Sequence, residues 1–209
     1  MSQKIENARE TLLQCGKEFL LRNRDGAAGK FQVRALTAQC GMASGTFYRY
    51  FDSKDDLTRQ ILQADWQKAM KTVDAVMQSD DTLYGKARAI YEEVSAFERN
   101  YRHSALELLS GAKENAAFKR DCFSVLQKKM RQFLRIEMQK GALALGGSPD
   151  IAAYLLIQLF SATARNPSMD FDDLWACMTF QDTSGAPCAG AKACRQPVTE
   201  EKSDAEQAE

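Results

Sequence analysis

Apolar residues recur along most of the chain at steps of three and four, the spacing that places side chains on one face of an α-helix. The first stripe predicts an amphipathic helix that ends near Arg22; its members are Ile5, Ala8, Leu12, Cys15 and Phe19. Asn23 to Lys30 is polar and rich in glycine, which predicts a loop. Two short helices, Val33 to Gln39 and Ala43 to Tyr50, are predicted after it.

Longer helical periods fill the rest of the chain up to about residue 180. Ser53 stands three residues before Asp56, a pattern that resembles a capping box and predicts a long helix behind it, through Met77. Five more helices are predicted, at Ala87 to Tyr101, Ser104 to Ser110, Phe118 to Phe133, Ile151 to Thr163 and Asp170 to Thr179. Because every strong period is helical, the predicted fold class is all-α.

The segment Ile151 to Thr163 is apolar on nearly all sides. Ser148 and Pro149 precede it as its predicted N-cap and first helical residue, after two glycines that break the chain. A helix without a polar face needs burial on more than one side. A partner subunit is the predicted source of the second buried side.

Composition sets the broad class of the protein. At 209 residues, with 44% hydrophobic and 27% charged residues, the chain has ordinary globular composition. The longest nearly apolar run, Ile151 to Phe160, is far short of the roughly 18 residues that a membrane span needs. No secretory signal follows Met1, so no membrane partner and a cytoplasmic location are predicted.

Charge and reactive residues narrow the function classes. Residues 1–63 hold 10 Lys and Arg against 7 Asp and Glu, an excess that permits DNA binding without indicating it. Six cysteines lack any C-x-x-C pair, so inert thiols are predicted; an oxidation switch at Cys177, Cys188 and Cys194 is the alternative. His103 is the single histidine, and no nucleophile with a base or phosphate loop is present. The sequence therefore predicts no metal site, no cofactor and no enzymatic activity.

The two short helices indicate a helix-turn-helix, with Gly41 at the reversal between them. In that motif the second helix enters the major groove and the first crosses the backbone. The candidate DNA contacts carry short hydroxyls, a bare backbone, phenols or cations that suit phosphates and base edges. They are Arg34, Ser44, Gly45, Thr46, Tyr48, Tyr50 and Lys54.

The pattern Ala38-x-x-Gly41-Met42-x-x-Gly45-Thr46-Phe47-Tyr48-x-Tyr50-Phe51-x-Ser53-Lys54-x-x-Leu57 resembles the tetracycline-repressor (TetR) family of bacterial transcription regulators. The resemblance covers roughly Ile5 to Leu62. It implies that the candidate residues face operator DNA and that Val33, Leu36, Phe47 and Phe51 are core. Two positions depart from the family pattern: Ala43 stands where Ser or Thr usually caps the second helix, and Gln32 stands where Thr usually opens the first.

The same resemblance implies a homodimeric repressor that binds a pseudo-palindromic operator in double-stranded DNA and is released by a small-molecule effector. It implies a helix-turn-helix domain at 1–62 and a helical ligand-binding and dimerisation domain at 63–180. Few large apolar side chains follow Gln181, which predicts a disordered tail at 181–209. The candidate pocket residues are Trp66, Met70, Tyr91, Phe97, Tyr101, His103, Phe123 and Met130. The candidate dimer face comprises Ile151, Tyr154, Leu155, Leu159, Phe160 and Leu174. A regulator controlled by a protein partner or by cysteine oxidation stays open as the alternative.

Overall fold

The structure, a computed structural model, describes residues 7–23, 31–109, 113–166 and 168–178, with side chains for all of these except 103–109 and 113–116. The regular elements of this part are all helices, which confirms the all-α prediction. They are α1 (Ala8–Arg22), α2 (Val33–Gln39), α3 (Ser44–Phe47), α4 (Lys54–Gln78), α5 (Leu83–Leu109), α6 (Lys113–Gln139), α7 (Pro149–Ala164) and α8 (Phe171–Cys177). The predicted tail, with Cys188 and Cys194, lies outside the described residues.

Side-chain caps fix the starts of the long helices where the sequence predicts them. The Ser53 hydroxyl accepts a hydrogen bond from the Asp56 amide at 3.1 Å, and the Asp56 carboxylate accepts one from the Asp52 amide at 3.3 Å. Ser148 accepts from the Asp150 amide at 3.2 Å and starts α7 in the same way. Each cap satisfies one of the amides that a helix N-terminus leaves without a partner.

The predicted break before Ser104 is wrong, because α5 runs without interruption from Leu83 to Leu109. The residues between Tyr101 and Ser104 are Arg102 and His103, and neither is a helix breaker. The chain therefore has no local reason to leave the helix there. Ser110, the predicted end of the separate helix, lies outside the described residues.

The first three helices and the start of α4 enclose one hydrophobic cluster, here called the head core. Leu36, Phe47 and Phe51 are at most 3% exposed, as predicted for core positions, and Val33 packs against them half-buried. Burying side chains of this size contributes about 1.5–3 kcal/mol each. This cluster holds the two short helices in place on α1 and α4, and its members are Leu12, Leu20, Phe31, Leu36, Phe47, Phe51, Leu57, Ile61, Leu62 and Tyr101.

The remainder of α4 packs with α5, α6, α7 and α8 around a second cluster, the body core. The main helix contacts of this part are α4 with α5, α6 with α7, and α5 with α7. Along α4, Leu62 is the last residue in the head core and Trp66 the first in the body core. One helix thus runs through both clusters and connects them rigidly.

Within the described part of the chain, no helix combines the length and the hydropathy needed to cross a lipid bilayer.

Candidate nucleic-acid interface

The turn between α2 and α3 is built around Gly41. Its φ is +66°, in the left-handed region that favours glycine. The Gly41 amide donates to the Ala38 carbonyl at 3.0 Å, and the Met42 amide donates to the Thr37 carbonyl at 2.8 Å. This pair of bonds is the Schellman arrangement, which ends a helix and reverses the chain. Gly41 therefore determines the turn at which α2 ends and the chain reverses toward α3.

The second helix of the motif is shorter than predicted. α3 covers Ser44–Phe47, and the chain then turns, with the Tyr50 and Phe51 amides both donating to the Phe47 carbonyl at 3.0 Å. Phe47 is fully buried, and its ring lies 5.3 Å from that of Tyr48 and 5.4 Å from that of Phe51. Aromatic packing on the head core thus holds a single helical turn that has little stability of its own.

Neither of the two short helices receives a side-chain cap. Ala43 and Gln32, the two departures from the family pattern, occupy the N-cap positions of α3 and α2 without a capping bond. The Ser44 hydroxyl lies 3.4 Å from that of Thr37, which donates to the Val33 carbonyl at 3.0 Å. Ser44 therefore faces α2 and does not replace the missing cap.

The structure places the candidate DNA contacts on consecutive elements of the head. Arg34 lies on α2, Gly45 and Thr46 lie on α3, Tyr48 follows α3, and Lys54 is the first residue of α4. Arg34, Gly45, Tyr48 and Lys54 are exposed, with Tyr48 at 62%. Three others are half-buried: Ser44, Thr46 and Tyr50.

Gly45 has no structural reason to be glycine. A Cβ atom added there would meet nothing within 4 Å. Glycine inside a helix costs about 0.5–1 kcal/mol relative to alanine. The residue therefore costs local stability and leaves a bare stretch of backbone on the exposed side of α3. A bare backbone allows close approach by another molecule.

Arg49 is an exposed cation that the sequence analysis did not select. It stands between Tyr48 and Tyr50, at a position that the matched pattern leaves open. Its charge, between the exposed Tyr48 and the half-buried Tyr50, suits phosphate as well as that of Lys54 does. Arg49 could have been predicted from its position within the predicted second helix, Ala43 to Tyr50.

Two of the predicted pocket residues line a groove in the described part of the chain. Trp66 and Met70 line an open groove of about 520 Å³ between α4 and α6, together with Phe118, Cys122 and Val125. The Trp66 indole Nε1 is buried and has no hydrogen-bond partner among the described residues.

The other predicted pocket residues lie elsewhere. Tyr91 and Met130 are buried in the body core, and Tyr101 is buried in the head core. Phe97 packs against both clusters, and Phe123 lies beside Tyr154 with ring centroids 5.9 Å apart. The His103 side chain is outside the described part.

Four of the predicted dimer residues form an exposed apolar stripe on α7. Ile151 is 63% exposed, Leu155 is 53%, and Tyr154 and Leu159 are 46% and 40%. Phe160 and Leu174 are placed differently: their side chains are at most 4% exposed and belong to the body core of the same chain. They are therefore not part of the exposed stripe.

Two of the described thiols, Cys40 and Cys122, have a raised pKa. Burial, together with a hydrogen bond to Cys15, raises the pKa of Cys40 to about 12. Burial next to Asp121 raises the pKa of Cys122 to about 11. A protonated thiol is a poor nucleophile, so both residues are inert near neutral pH. Among the described residues, no group of three or more His, Cys, Asp or Glu is arranged to hold a metal ion.

Comparison with known proteins identifies the motif. Residues 25–61 match the model of the bacterial regulatory proteins of the tetR family. Those residues include the turn at Gly41, all of α3 and the start of α4. No curated protein matches the sequence.

Solved structures share the fold of the larger part of the chain. The reduced form of NemR from E. coli is 18% identical, with a TM-score of 0.61, over 75% of this chain and 84% of that one. FadR from Bacillus subtilis in complex with stearoyl-CoA is 16% identical, with a TM-score of 0.58, over 80% and 87% of the two chains.

A protein described as a superantigen, PfiT, has the same fold, at 20% identity and a TM-score of 0.60 over 81% of this chain and 92% of that one. The fold by itself therefore does not determine function. The matched motif carries that information: the helix-turn-helix of this chain, within residues 25–61, matches the tetR family of bacterial regulatory proteins.

Proposed function

We propose that the protein is a transcriptional repressor whose homodimer binds a pseudo-palindromic operator in cytoplasmic double-stranded DNA and is released by a small-molecule effector. The observation that carries the proposal is the exposed surface of α3 and the residues that follow it, which includes a glycine without a packing role and the exposed side chains of Tyr48 and Lys54. These groups suit close backbone approach, hydrogen bonding and charge contact with DNA.

In this proposal α3 enters the major groove while α2 crosses the backbone. Gly45 lets the start of α3 approach the bases, and Thr46 offers a hydroxyl and a methyl to base edges. Lys54, exposed at the start of α4, binds a phosphate. Tyr48 and Tyr50 hold neighbouring phosphates through their hydroxyls, with Arg34 and Ser44 completing the contact surface.

Two copies of the chain meet through the apolar stripe on α7. An exposed row of Ile151, Tyr154, Leu155 and Leu159 on one helix face supports this arrangement. A two-fold axis through the stripe brings the same surface of each copy together, as in most homodimers. Residues 1–62 of each copy then form one DNA-reading head, and 63–180 form the joined bodies.

The effector binds in the groove between α4 and α6. Trp66, Met70 and Phe118 form an apolar wall, while Arg59 and Lys71 are among the polar residues that line the rest of the groove. With the Trp66 indole N–H, which has no partner among the described residues, this lining favours a molecule with a large apolar part and a hydrogen-bond acceptor. The stearoyl-CoA bound by the FadR relative supports a small-molecule ligand. Release follows if the ligand prefers a state in which the heads no longer match the half-site spacing.

The direct test selects bound fragments from the genomic DNA of the source bacterium with the purified full-length protein. We expect enrichment of fragments that share two inverted half-sites whose centres are one helical turn, or a small multiple of it, apart. A pool without any shared sequence after selection would contradict the proposal. Purified protein on random fragments at the same salt concentration serves as the reference for non-specific binding.

Substitution of Gly45 by alanine separates folding from DNA binding. Because a Cβ atom meets nothing there, we expect Gly45→Ala to keep or raise stability by about 0.5–1 kcal/mol. In the proposed complex the added methyl group lies on the surface that faces the major groove of DNA. It displaces contacts with the bases, so operator affinity falls about tenfold. Thermal unfolding and fluorescence anisotropy with a selected fragment measure the two effects.

Gly146→Ala is the control, since a Cβ atom there also meets nothing within 4 Å and the residue precedes α7 in the body. Its operator affinity is expected to match that of the unmodified protein. If Gly45→Ala bound the operator with the affinity of the unmodified protein, α3 would not be in contact with DNA.

Lys54→Ala tests the phosphate contact. Lys54 is exposed, so its truncation removes no buried packing, and the free energy of unfolding stays nearly constant. Affinity falls for every DNA sequence, and the slope of log K against log salt becomes shallower by about 1. Lys68, an exposed lysine farther along α4, provides the matched control variant Lys68→Ala. An unchanged salt slope would show that Lys54 does not touch DNA.

A further inference from the structure

Three aromatic rings connect the groove with the head core. Trp66 of α4 lines the groove, and the ring of Phe97 on α5 packs edge-on against it with centroids 4.9 Å apart. Phe97 lies 5.2 Å from the ring of Tyr101, one turn farther along α5. Trp66 belongs to the body core and Tyr101 to the head core, so the three rings span the boundary between the clusters.

Tyr101 ends this row in a polar contact with the head. Its side chain is 2% exposed, and its hydroxyl donates to Asp65 Oδ2 on α4. The other oxygen of Asp65 accepts from Lys17 Nζ of α1 at 2.7 Å. Burial next to the carboxylate raises the pKa of Tyr101, so the phenol stays protonated and remains a donor. One carboxylate therefore links α1, α4 and α5.

This contact is specific to one position on α5. Among the described side chains, Tyr101 is the single buried residue of α5 in the head core, and Phe97 is its half-buried neighbour. α5 also packs directly on α1. A displacement of Tyr101 therefore acts on the interior of the head and on the helix against which the short helices rest.

We propose that Tyr101 is a positioning residue that couples occupancy of the groove to the orientation of the head. A molecule that displaces Trp66 shifts Phe97, Phe97 shifts Tyr101, and the hydrogen bond to Asp65 passes the shift to α1 through Lys17. Chains of packed side chains and hydrogen bonds carry coupling of this kind between sites. The proposal rests on the effector release described above and assigns a residue to it.

A double-mutant cycle read by amide hydrogen exchange tests this coupling in the absence of DNA and of any ligand. Cys122→Phe adds bulk to the wall of the groove opposite Trp66 and stands in for an occupant. Tyr101→Phe removes only the hydroxyl that reaches Asp65. Exchange is measured on the full-length single and double variants, at amides of α1 and α2 and, for comparison, of α7.

We expect Cys122→Phe to change head exchange rates by about twofold or more, the lower end of the effects between coupled sites. In the Tyr101→Phe background the same groove substitution leaves head exchange unchanged. Tyr84→Phe is the matched control, because Tyr84 also lies on α5 and donates its hydroxyl to an aspartate, Asp172, away from the head. With Tyr84→Phe the effect of Cys122→Phe on the head is retained.

Two outcomes overturn the proposal: a groove substitution that leaves the head unchanged in every background, and a head response that survives Tyr101→Phe. If Cys122→Phe does not fold, Val125→Phe at the exposed rim of the groove replaces it. Because the readout needs no DNA, a failed coupling is distinguishable from a failed assignment as a DNA-binding repressor, which the fragment selection tests separately.

Discussion

Substitution of Glu137 by alanine is expected to destabilise the protein by about 3–5 kcal/mol, the cost of leaving a buried charge unpaired. Glu137 Oε1 lies 3.1 Å from Lys86 Nζ, and the two side chains are 3% and 2% exposed. Burial disfavours the charged ammonium, but the hydrogen bond to Glu137, a contribution from Lys140 and the charges of Glu137 and Asp80 together hold the pKa of Lys86 above its ordinary value. The lysine is therefore charged inside the body, and Glu137 is its hydrogen-bonded carboxylate, with the more exposed Lys140 Nζ 3.5 Å from the same oxygen.

Urea unfolding followed by circular dichroism measures the loss, which is a large fraction of the stability of an average domain. The double variant Lys86→Met/Glu137→Leu removes both charges and is expected to recover most of it, because apolar residues replace buried pairs at little cost. Glu92→Ala is the surface control: its partner Arg88 is 48% exposed, and exposed pairs contribute at most about 1 kcal/mol. A Glu137→Ala loss as small as that of the control would show that water reaches Lys86.

The sequence was sufficient for most of the helices, because their signals are local. The stripes that define α1, α4 and α7, and the caps at Ser53 and Ser148, depend on residues within one or two turns of each other. The chain reversal at Gly41 was predictable for the same reason, since the positive φ that it requires is a property of one residue. The predicted break before Ser104 is wrong, because neither Arg102 nor His103 breaks a helix.

The positions of the candidate site residues were harder to predict from the sequence where they depend on packing between distant parts of the chain. A helical stripe does not say which of two cores receives a residue, so Trp66 and Tyr101 were grouped in one pocket although they lie in different clusters. On α7, Leu159 is exposed and Phe160 is buried, because one residue step turns the side chain by about 100°. The Lys86–Glu137 pair has no sequence signal, since both residues read as surface charges until the helices are packed.

Leu155→Glu is expected to separate the proposed homodimer and to lower operator affinity by about 10²–10⁴-fold. Leu155 is 53% exposed in the middle of the α7 stripe, beside Tyr154 and Leu159. Around a two-fold axis each substitution enters the interface twice, so two carboxylates are buried without partners. A dimer gains its affinity for a two-part operator by tethering the second head close to its half-site, and a monomer loses that gain.

Sedimentation equilibrium at micromolar concentration and anisotropy with a selected operator measure the two effects on the same sample. Ala75→Glu is the matched control, because it adds the same charge at an exposed position of α4. Thermal unfolding checks that both variants keep the fold, as expected for an exposed site on a helix. If Leu155→Glu stays dimeric, the α7 stripe is not the interface. If it becomes monomeric while binding the operator as before, one head reads the DNA alone and the pseudo-palindrome is not required.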